Sequence, residues 1–288
     1  MRLDLKSPCK INLILRVFER RADGYHRVET VMVKLALHDD IVVGVEEGDG
    51  ILVRVPANPV LENDQNLAVR AARLFCETSG KKARVTIEIT KRIPVAGGLG
   101  GGSSNGAAVL LALQKSLGGI SDDLLLKMGL KLGADVPFFI QPGNWGIGRG
   151  IGDDIRPWQS LPSRPIVLVN PGFPVPTAKV YRALGRPLTP EVRDGNSSAL
   201  RKEPKSWSDL KGLFSVGNDL QAAAEKLYPD IQTIRVALSE RGADFAQMSG
   251  SGGSVFGLFS ERKKAESAAN DLQKRWKIVI VTETAADG

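Results

Sequence analysis

Pro94-Val95-Ala96-Gly97-Gly98-Leu99-Gly100-Gly101-Gly102-Ser103-Ser104-Asn105 stands between a strand-like run at 85–90 and a helix-like run at 106–117. Five of these residues are glycine, and two hydroxyls follow them. Glycine lets a backbone come close to a ligand, and free N–H groups at a helix start attract anions. The stretch reads as a phosphate cradle at the N-terminus of a helix. A flexible glycine loop is the plainer alternative, and the regular elements on both sides weigh against it.

Two common phosphate loops do not fit. A Walker A loop ends in Gly-Lys-Ser/Thr, and here Gly102 is followed directly by Ser103. In the dinucleotide pattern G-x-G-x-x-G the third glycine is replaced by Ser103 in one register and by Asn105 in the other. That pattern also wants an acidic residue at a second strand end about 20 residues on. Asp122 and Asp123 lie near that distance, but they read as the first turn of a helix capped by Ser121.

The chain has 288 residues, 42% hydrophobic and 25% charged, which suits a soluble globular protein with substantial cores. No apolar run approaches the roughly 18 residues that span a bilayer. The first eight residues lack the apolar segment of a signal peptide, and Cys9 and Cys76 are too few for a disulfide framework or a cysteine zinc site. A cytoplasmic protein without membrane contact is expected. The net charge of +7 suits phosphate-rich small molecules as well as nucleic acid. Its densest cluster, in 262–277, surrounds Ala265, Ala268, Ala269 and Leu272 at helical spacing, so those charges read as a solvated helix face. No recognised nucleic-acid motif accompanies them.

Working outward, strands are predicted at 9–15, 29–37, 40–46, 51–55 and 85–90, and helices at 66–78, 106–117 and from Ser121 to the stop at Gly133. Residues 136–140 read as a strand, 145–154 as a glycine-rich turn region and 157–165 as a proline-rich connection. A domain boundary near Leu161 follows, giving 1–160 and 161–288. In the second half, strands are predicted at 166–169, 245–249, 254–259 and 277–282, with helices at 177–184, 218–227 and 230–241. The polar stretch 185–208 reads as a mobile loop. The class is α+β.

Four features carry chemistry. Lys10 and Asn12 share one face of a strand, where a lysine is costly unless it snorkels at an edge or serves a site. Asp135 sits at the turn before Val136-Pro137, either bonding nearby backbone or acting as a base. Tyr25 and His26 follow a glycine turn, as a partly buried pair or a ligand-reading one. Asn66 precedes a helix, as an N-cap or a ligand contact.

The glycine loop resembles P-x-x-x-G-L-G-x-S-S, the phosphate loop of the GHMP kinases, with extra glycines found in one branch of that family. Lys10-Ile11-Asn12 is similar to the family's first motif, and Gly133-Ala134-Asp135-Val136-Pro137 to its aspartate motif. Gly250-Ser251-Gly252-Gly253-Ser254 resembles the third motif, although Ala-Thr or Pro-Thr is common near its end. Asn218-Asp219-Leu220 resembles a further family motif, read as packing or loop support. The matches run in the expected order from Lys10 to Phe259. Cys9 replaces a usual alanine, and Met32 an aromatic residue.

The resemblance implies a two-domain fold: an N-terminal mixed-sheet domain with the phosphate loop and a C-terminal ferredoxin-like domain. It implies an ATP-dependent kinase with Mg²⁺ and Asp135 as general base, while Lys10 polarises the acceptor hydroxyl. ATP falls to Pro94, Gly97, Gly98, Leu99, Gly100, Gly101, Gly102, Ser103 and Ser104, with Asn66 and Lys91 on the adenine side. Asp23-Gly24-Tyr25-His26 matches a branch whose small alcohol carries a cytidine diphosphate. There the His reads the cytosine edge, Tyr25 stacks on the ring and Tyr181 closes the other face, with Asn12 and Thr177 also on substrate. No protein metal ligand is assigned; Ser104 is the one candidate. The alternatives are a GHMP kinase for another small alcohol and a catalytically silent nucleotide binder.

Overall fold

The strand predicted at 9–15 is the middle of a much longer one, β1 (Arg2–Arg20), and residues 10–15 are buried on both faces. The two runs predicted at 29–37 and 40–46 are one strand, β2 (His26–Glu46), which pairs with β1. His38-Asp39-Asp40 reads as a break because polar residues cluster there. The backbone runs through because Asp39 finds partners in the interior, described below.

The computed structural model describes residues 1–184 and 203–286. Its chain forms two units that interleave along the sequence. The first comprises Met1–Cys9, Leu37–Val95 and Gly100–Pro142; the second comprises Lys10–Ala36, Ala96–Leu99 and the described residues from Gly143 onward.

In the first unit β3 (Ile51–Arg54) is followed by α1 (Leu67–Ser79) and β4 (Arg84–Thr90). β4 pairs antiparallel with β2, Asp40 opposite Thr90, and parallel with β3. Val85, Ile87 and Ile89 alternate into the core, as period-two patterning requires. Three helices follow: α2 (Gly101–Leu117), α3 (Asp122–Leu132) and α4 (Val136–Ile140). α1 and α2 approach closely because Gly106 lacks a side chain; a Cβ there would lie 3.3 Å from the Leu67 carbonyl oxygen. Ser121 caps α3 by accepting from Leu124 N–H, and Gly133 ends it.

Two predictions fail here. α2 begins at Gly101, not at 106, so the glycines and both serines are its first turn. Gly100, in the left-handed region at φ +68°, turns the chain into it. Residues 136–140 are helical rather than extended. Pro137 lies in the first turn, where the missing N–H has no helical partner to lose, and this outweighs its bias on Val136.

In the second unit the region read as turns is a hairpin, β5 (Trp145–Arg149) with β6 (Asp154–Trp158); β5 pairs with Thr30–Val33 of β2. Gly146 and Gly148 are strand residues, and Gly148 is crowded: a Cβ would come within 3.0 Å of Met32 Cε. Then follow β7 (Pro165–Asn170), α5 (Thr177–Ala183), α6 (Trp207–Phe214), α7 (Gln221–Leu227), α8 (Pro229–Glu240), β8 (Phe245–Met248), β9 (Val255–Leu258), α9 (Arg262–Leu272) and β10 (Ile278–Glu283). The four strands run antiparallel in the order β10-β7-β9-β8, the ferredoxin-like path implied by the resemblance. α9 turns Ala265, Ala268, Ala269 and Leu272 inward and leaves its basic residues exposed, as its spacing predicts. The expected loop at 185–208 lies outside the described residues as far as 202, and Trp207 already begins α6, a helix that the sequence pattern does not announce.

Lys34, on β2, is a costly burial: its ammonium is pushed down from the ordinary 10.5 to about 8 by desolvation. The unfolded chain therefore holds a proton that the folded chain has lost between about pH 8 and 10.5. Stability should rise with pH across that window. Urea unfolding is expected to show this rise in the wild type and a smaller one in Lys34→Met. Identical slopes in the two proteins would contradict it.

Candidate active site

The second unit holds Lys10 at 3% exposure. Its Nζ donates to Asn12 Oδ1 at 2.7 Å, Asn12 Nδ2 donates to Thr30 Oγ1 at 2.8 Å, and Thr30 Oγ1 donates to the Ile14 carbonyl at 2.7 Å. This directed chain fixes the Asn12 amide with its oxygen toward the lysine. The snorkelling alternative for Lys10 is removed, since the residue lies in the interior. Thr30 is a site residue that the motifs do not contain; only its place on a buried strand face two residues before Met32 hints at it.

The tip of the glycine loop, 96–99, is tied within the same unit. Lys10 N–H donates to Leu99 O at 2.9 Å, Ser249 Oγ donates to Gly98 O at 3.0 Å, and Ser254 N–H donates to Gly97 O at 3.0 Å. Asn12 N–H reaches Ser249 Oγ at 3.3 Å. Asn218 holds the segment after β8, donating to Met248 O at 3.0 Å and Gly250 O at 2.7 Å, and its Oδ1 accepts from Leu220 N–H. Of the two roles read for the 218–220 motif, packing or loop support, Asn218 takes the second, through these three bonds.

His26 and Tyr181 stack, with ring centroids 5.3 Å apart and planes at 23°. His26 Nδ1 lies 3.1 Å from the Phe18 carbonyl oxygen, which can only accept. Nδ1 therefore donates to it, and in the neutral tautomer this leaves Nε2 as an acceptor. Tyr25 stands 61% exposed. Thr177, the first residue of α5, shares a 2.7 Å hydroxyl contact with Ser251.

The first unit holds the loop's stalks and Asp135. Gly101, Gly102 and Ser103 precede the first helical bond of α2, Ser104 N–H to Gly100 O at 2.9 Å. Their N–H groups are those a helix leaves for an anion. Ser104 is buried, and its Oγ accepts from Ser7 Oγ at 2.7 Å. Asp135 is half-buried at the N-cap position of α4, yet its side chain makes no capping bond to that helix. Asn66 caps α1 by accepting from Ala68 N–H, and its Nδ2 donates to Leu61 O. Lys91 Nζ meets Asp39 Oδ2 at 2.5 Å. Among the described residues no three His, Cys, Asp or Glu side chains are grouped to hold a metal ion.

A family model for the GHMP kinases N terminal domain matches residues 66–143, and one for the GHMP kinases C terminal matches 197–278. The 4-diphosphocytidyl-2-C-methyl-D-erythritol kinase of Geobacter metallireducens is 39% identical over 283 residues, 97% of this chain and 98% of that protein. The chain belongs to the GHMP kinases. A crystal structure of 4-(cytidine 5'-diphospho)-2C-methyl-D-erythritol kinase matches this GHMP kinase with a TM-score of 0.81 at 34% identity, over 99% of this chain and 100% of the other. A homoserine kinase from Cytophaga hutchinsonii, at 17% identity and TM-score 0.69 over 99% and 95% of the two chains, shares the fold. No helix of this GHMP kinase, among the described residues, is long and apolar enough to cross a membrane.

Proposed function

We propose that this chain transfers the γ-phosphoryl group of ATP to the 2-hydroxyl of 4-diphosphocytidyl-2-C-methyl-D-erythritol, a step of the non-mevalonate route to isoprenoid precursors, in the cytoplasm. The observation that carries the reading is near-full-length identity to enzymes of that name together with the His26–Tyr181 pair. In this reading 1–160 is the N-terminal kinase domain and 161–288 the C-terminal one; the two family matches fall on either side of that division, whereas the compact units place 10–36, 96–99 and 143–160 with the second half.

Asp135 accepts the hydroxyl proton as the oxygen attacks the γ-phosphorus, and the bond to the ADP oxygen breaks. Lys10, its ammonium oriented through Asn12, holds and polarises the hydroxyl. The first-turn N–H groups of α2, with Ser103, receive charge that develops on the phosphates. Asn66 and Lys91 stand on the adenine side, Asn66 engaged with the backbone of Leu61 and Ala68, Lys91 with the side chains of Asp39 and Asn105. Magnesium, when bound with the nucleotide, would shield the phosphate charge; among the described residues no cluster of three His, Cys, Asp or Glu side chains offers it a site, and Ser104, whose Oγ accepts from Ser7, is the side chain that could reach it.

For the acceptor, His26 Nε2 accepts from the cytosine amino group, while Tyr25 and Tyr181 supply ring faces. Stacking tolerates any base, so the edge contact discriminates. His26→Ala is expected to raise KM for the cytidine substrate about tenfold or more and leave KM for ATP within about twofold. Equal weakening of both would remove His26 from the acceptor site.

ADP release with Mg-ATP tests the whole reading, with mevalonate, homoserine and galactose beside the cytidine substrate. Turnover with the cytidine substrate alone is expected. Turnover with one of the others would keep the kinase and overturn its substrate.

A further inference from the structure

Asp39, in the first unit, has a side chain that reaches both stalks of the glycine loop. It has no solvent exposure. Oδ1 accepts from the backbone N–H groups of Arg92 at 2.8 Å and Ile93 at 2.9 Å, on the strand end that leads into the loop. Oδ2 accepts from Lys91 Nζ at 2.5 Å and from Asn105 Nδ2 at 3.0 Å, on the helix that leaves it. A carboxylate has about four lone-pair sites, and all four are used. Asn105 Nδ2 also donates to Ser7 Oγ at 2.9 Å, and Ser7 donates to Ser104. The buried charge thus joins β1, β2, the end of β4 and the first turn of α2.

We propose that Asp39 is a positioning residue for ATP: by holding Arg92, Ile93 and Asn105 to one carboxylate it sets the spacing of the loop's two stalks, and hence the aim of the N–H groups that receive the phosphates. This rests on the ATP-dependent reading above. Its neighbour Asp40 pairs on the surface with Arg92 and His38 and takes no part. The sequence does not separate the two aspartates; strand alternation does, placing them on opposite faces of β2. A buried carboxylate with four donors is expensive to leave partly paired, so the arrangement has little freedom to relax.

Asp39→Asn keeps an oxygen for Arg92 and Ile93 but turns an NH₂ group toward two donors, Lys91 Nζ and Asn105 Nδ2. The exit stalk is released while the entry stalk stays. KM for ATP, and the Kd for ATP by calorimetry without any acceptor, are expected to rise about tenfold or more, with KM for the acceptor within about twofold. Asp39→Asn combined with Asn105→Asp moves the carboxylate across the contact, still facing Lys91 and now receiving the amide from position 39. It should recover most of the lost ATP affinity. Asp40→Asn, a surface control, should change neither constant.

A uniform loss of folded protein, with both KM values unchanged in the fraction that folds and no recovery in the double variant, would reduce Asp39 to a fold element and overturn the proposal. Asn105→Ala, which leaves Asp39 paired with Lys91 and both N–H groups, gives the same reading if Asp39→Asn does not fold. Unchanged ATP affinity in it overturns the clamp. Wild-type protein that binds ATP without phosphorylating the cytidine substrate would sink the functional reading and leave the clamp to be judged on ATP affinity. Wild-type protein that does not bind ATP would sink both.

Discussion

Asp135→Asn is expected to bind ATP and acceptor as the wild type does and to turn over about 10²–10⁴-fold more slowly, the usual worth of a general base. The substitution preserves shape and one oxygen but removes the group that takes the proton. The start of α4 should not change, because Asp135 does not cap that helix with its side chain and Val136 N–H is already satisfied by Gly133 O at 3.1 Å. Thermal unfolding and ATP calorimetry on the variant therefore separate a chemical loss from a structural one. If Lys10 and Asp135 act on one hydroxyl, their losses will not add. Lys10→Met with Asp135→Asn should be little slower than the worse single variant, since groups that work as a unit are strongly non-additive. Additive losses would assign the two residues to separate steps. Near-wild-type turnover in Asp135→Asn would end its assignment as the base.

Much of this molecule is legible in its amino-acid sequence. The core of α9 is stated outright by four apolar positions at helical spacing, and the caps of α1 and α3 by Asn66 and Ser121. Motif order points to the fold, because each motif ties a loop to an element of known type. Where the sequence misleads, the causes are local. Residues 136–140 look like a strand by composition, but a proline in a first helical turn costs nothing. Gly146 and Gly148 look like turn residues, yet they lie within strand β5, where Gly148 has no room for a side chain. The glycine loop reads as longer than it is because glycine has low intrinsic helix preference, whereas Gly101 and Gly102 are held in α2 by their context. Asp39, Thr30 and Ser249 escape a sequence reading for a common reason. Their meaning lies in partners far along the chain, and a single sequence offers no signal for a hydrogen bond between residues 39 and 105 or between 12 and 249.

Among the described glycines, Gly98→Ala is expected to be the most damaging substitution by alanine. Gly98 sits at φ +74°, a conformation that costs an ordinary residue about 1–2 kcal/mol. Strain alone is survivable; Gly172, at φ +89° with open space around it, should accept alanine at that cost. Gly98 has no such space. A Cβ would stand 2.5 Å from the Ser249 carbonyl oxygen and 2.8 Å from that of Gly252, both backbone atoms that cannot swing aside. The tip must then leave the 249–254 segment, giving up the bonds from Ser249 Oγ and Ser254 N–H and disturbing Leu99 O, which accepts from Lys10 N–H. Overpacking adds about 1–3 kcal/mol to the strain, and activity should fall at least 100-fold through both ATP affinity and turnover. Gly102→Ala makes the contrast. A methyl there meets Leu67 Cδ1 at 3.5 Å, an ordinary contact, and the helix gains about 1 kcal/mol from alanine. If Gly102→Ala is as stable as the wild type or more so, but binds ATP poorly, the missing side chain at 102 serves the nucleotide rather than the fold. Gly98 would then serve the fold of the loop itself, and the two glycines, four residues apart, would be held for different physical reasons.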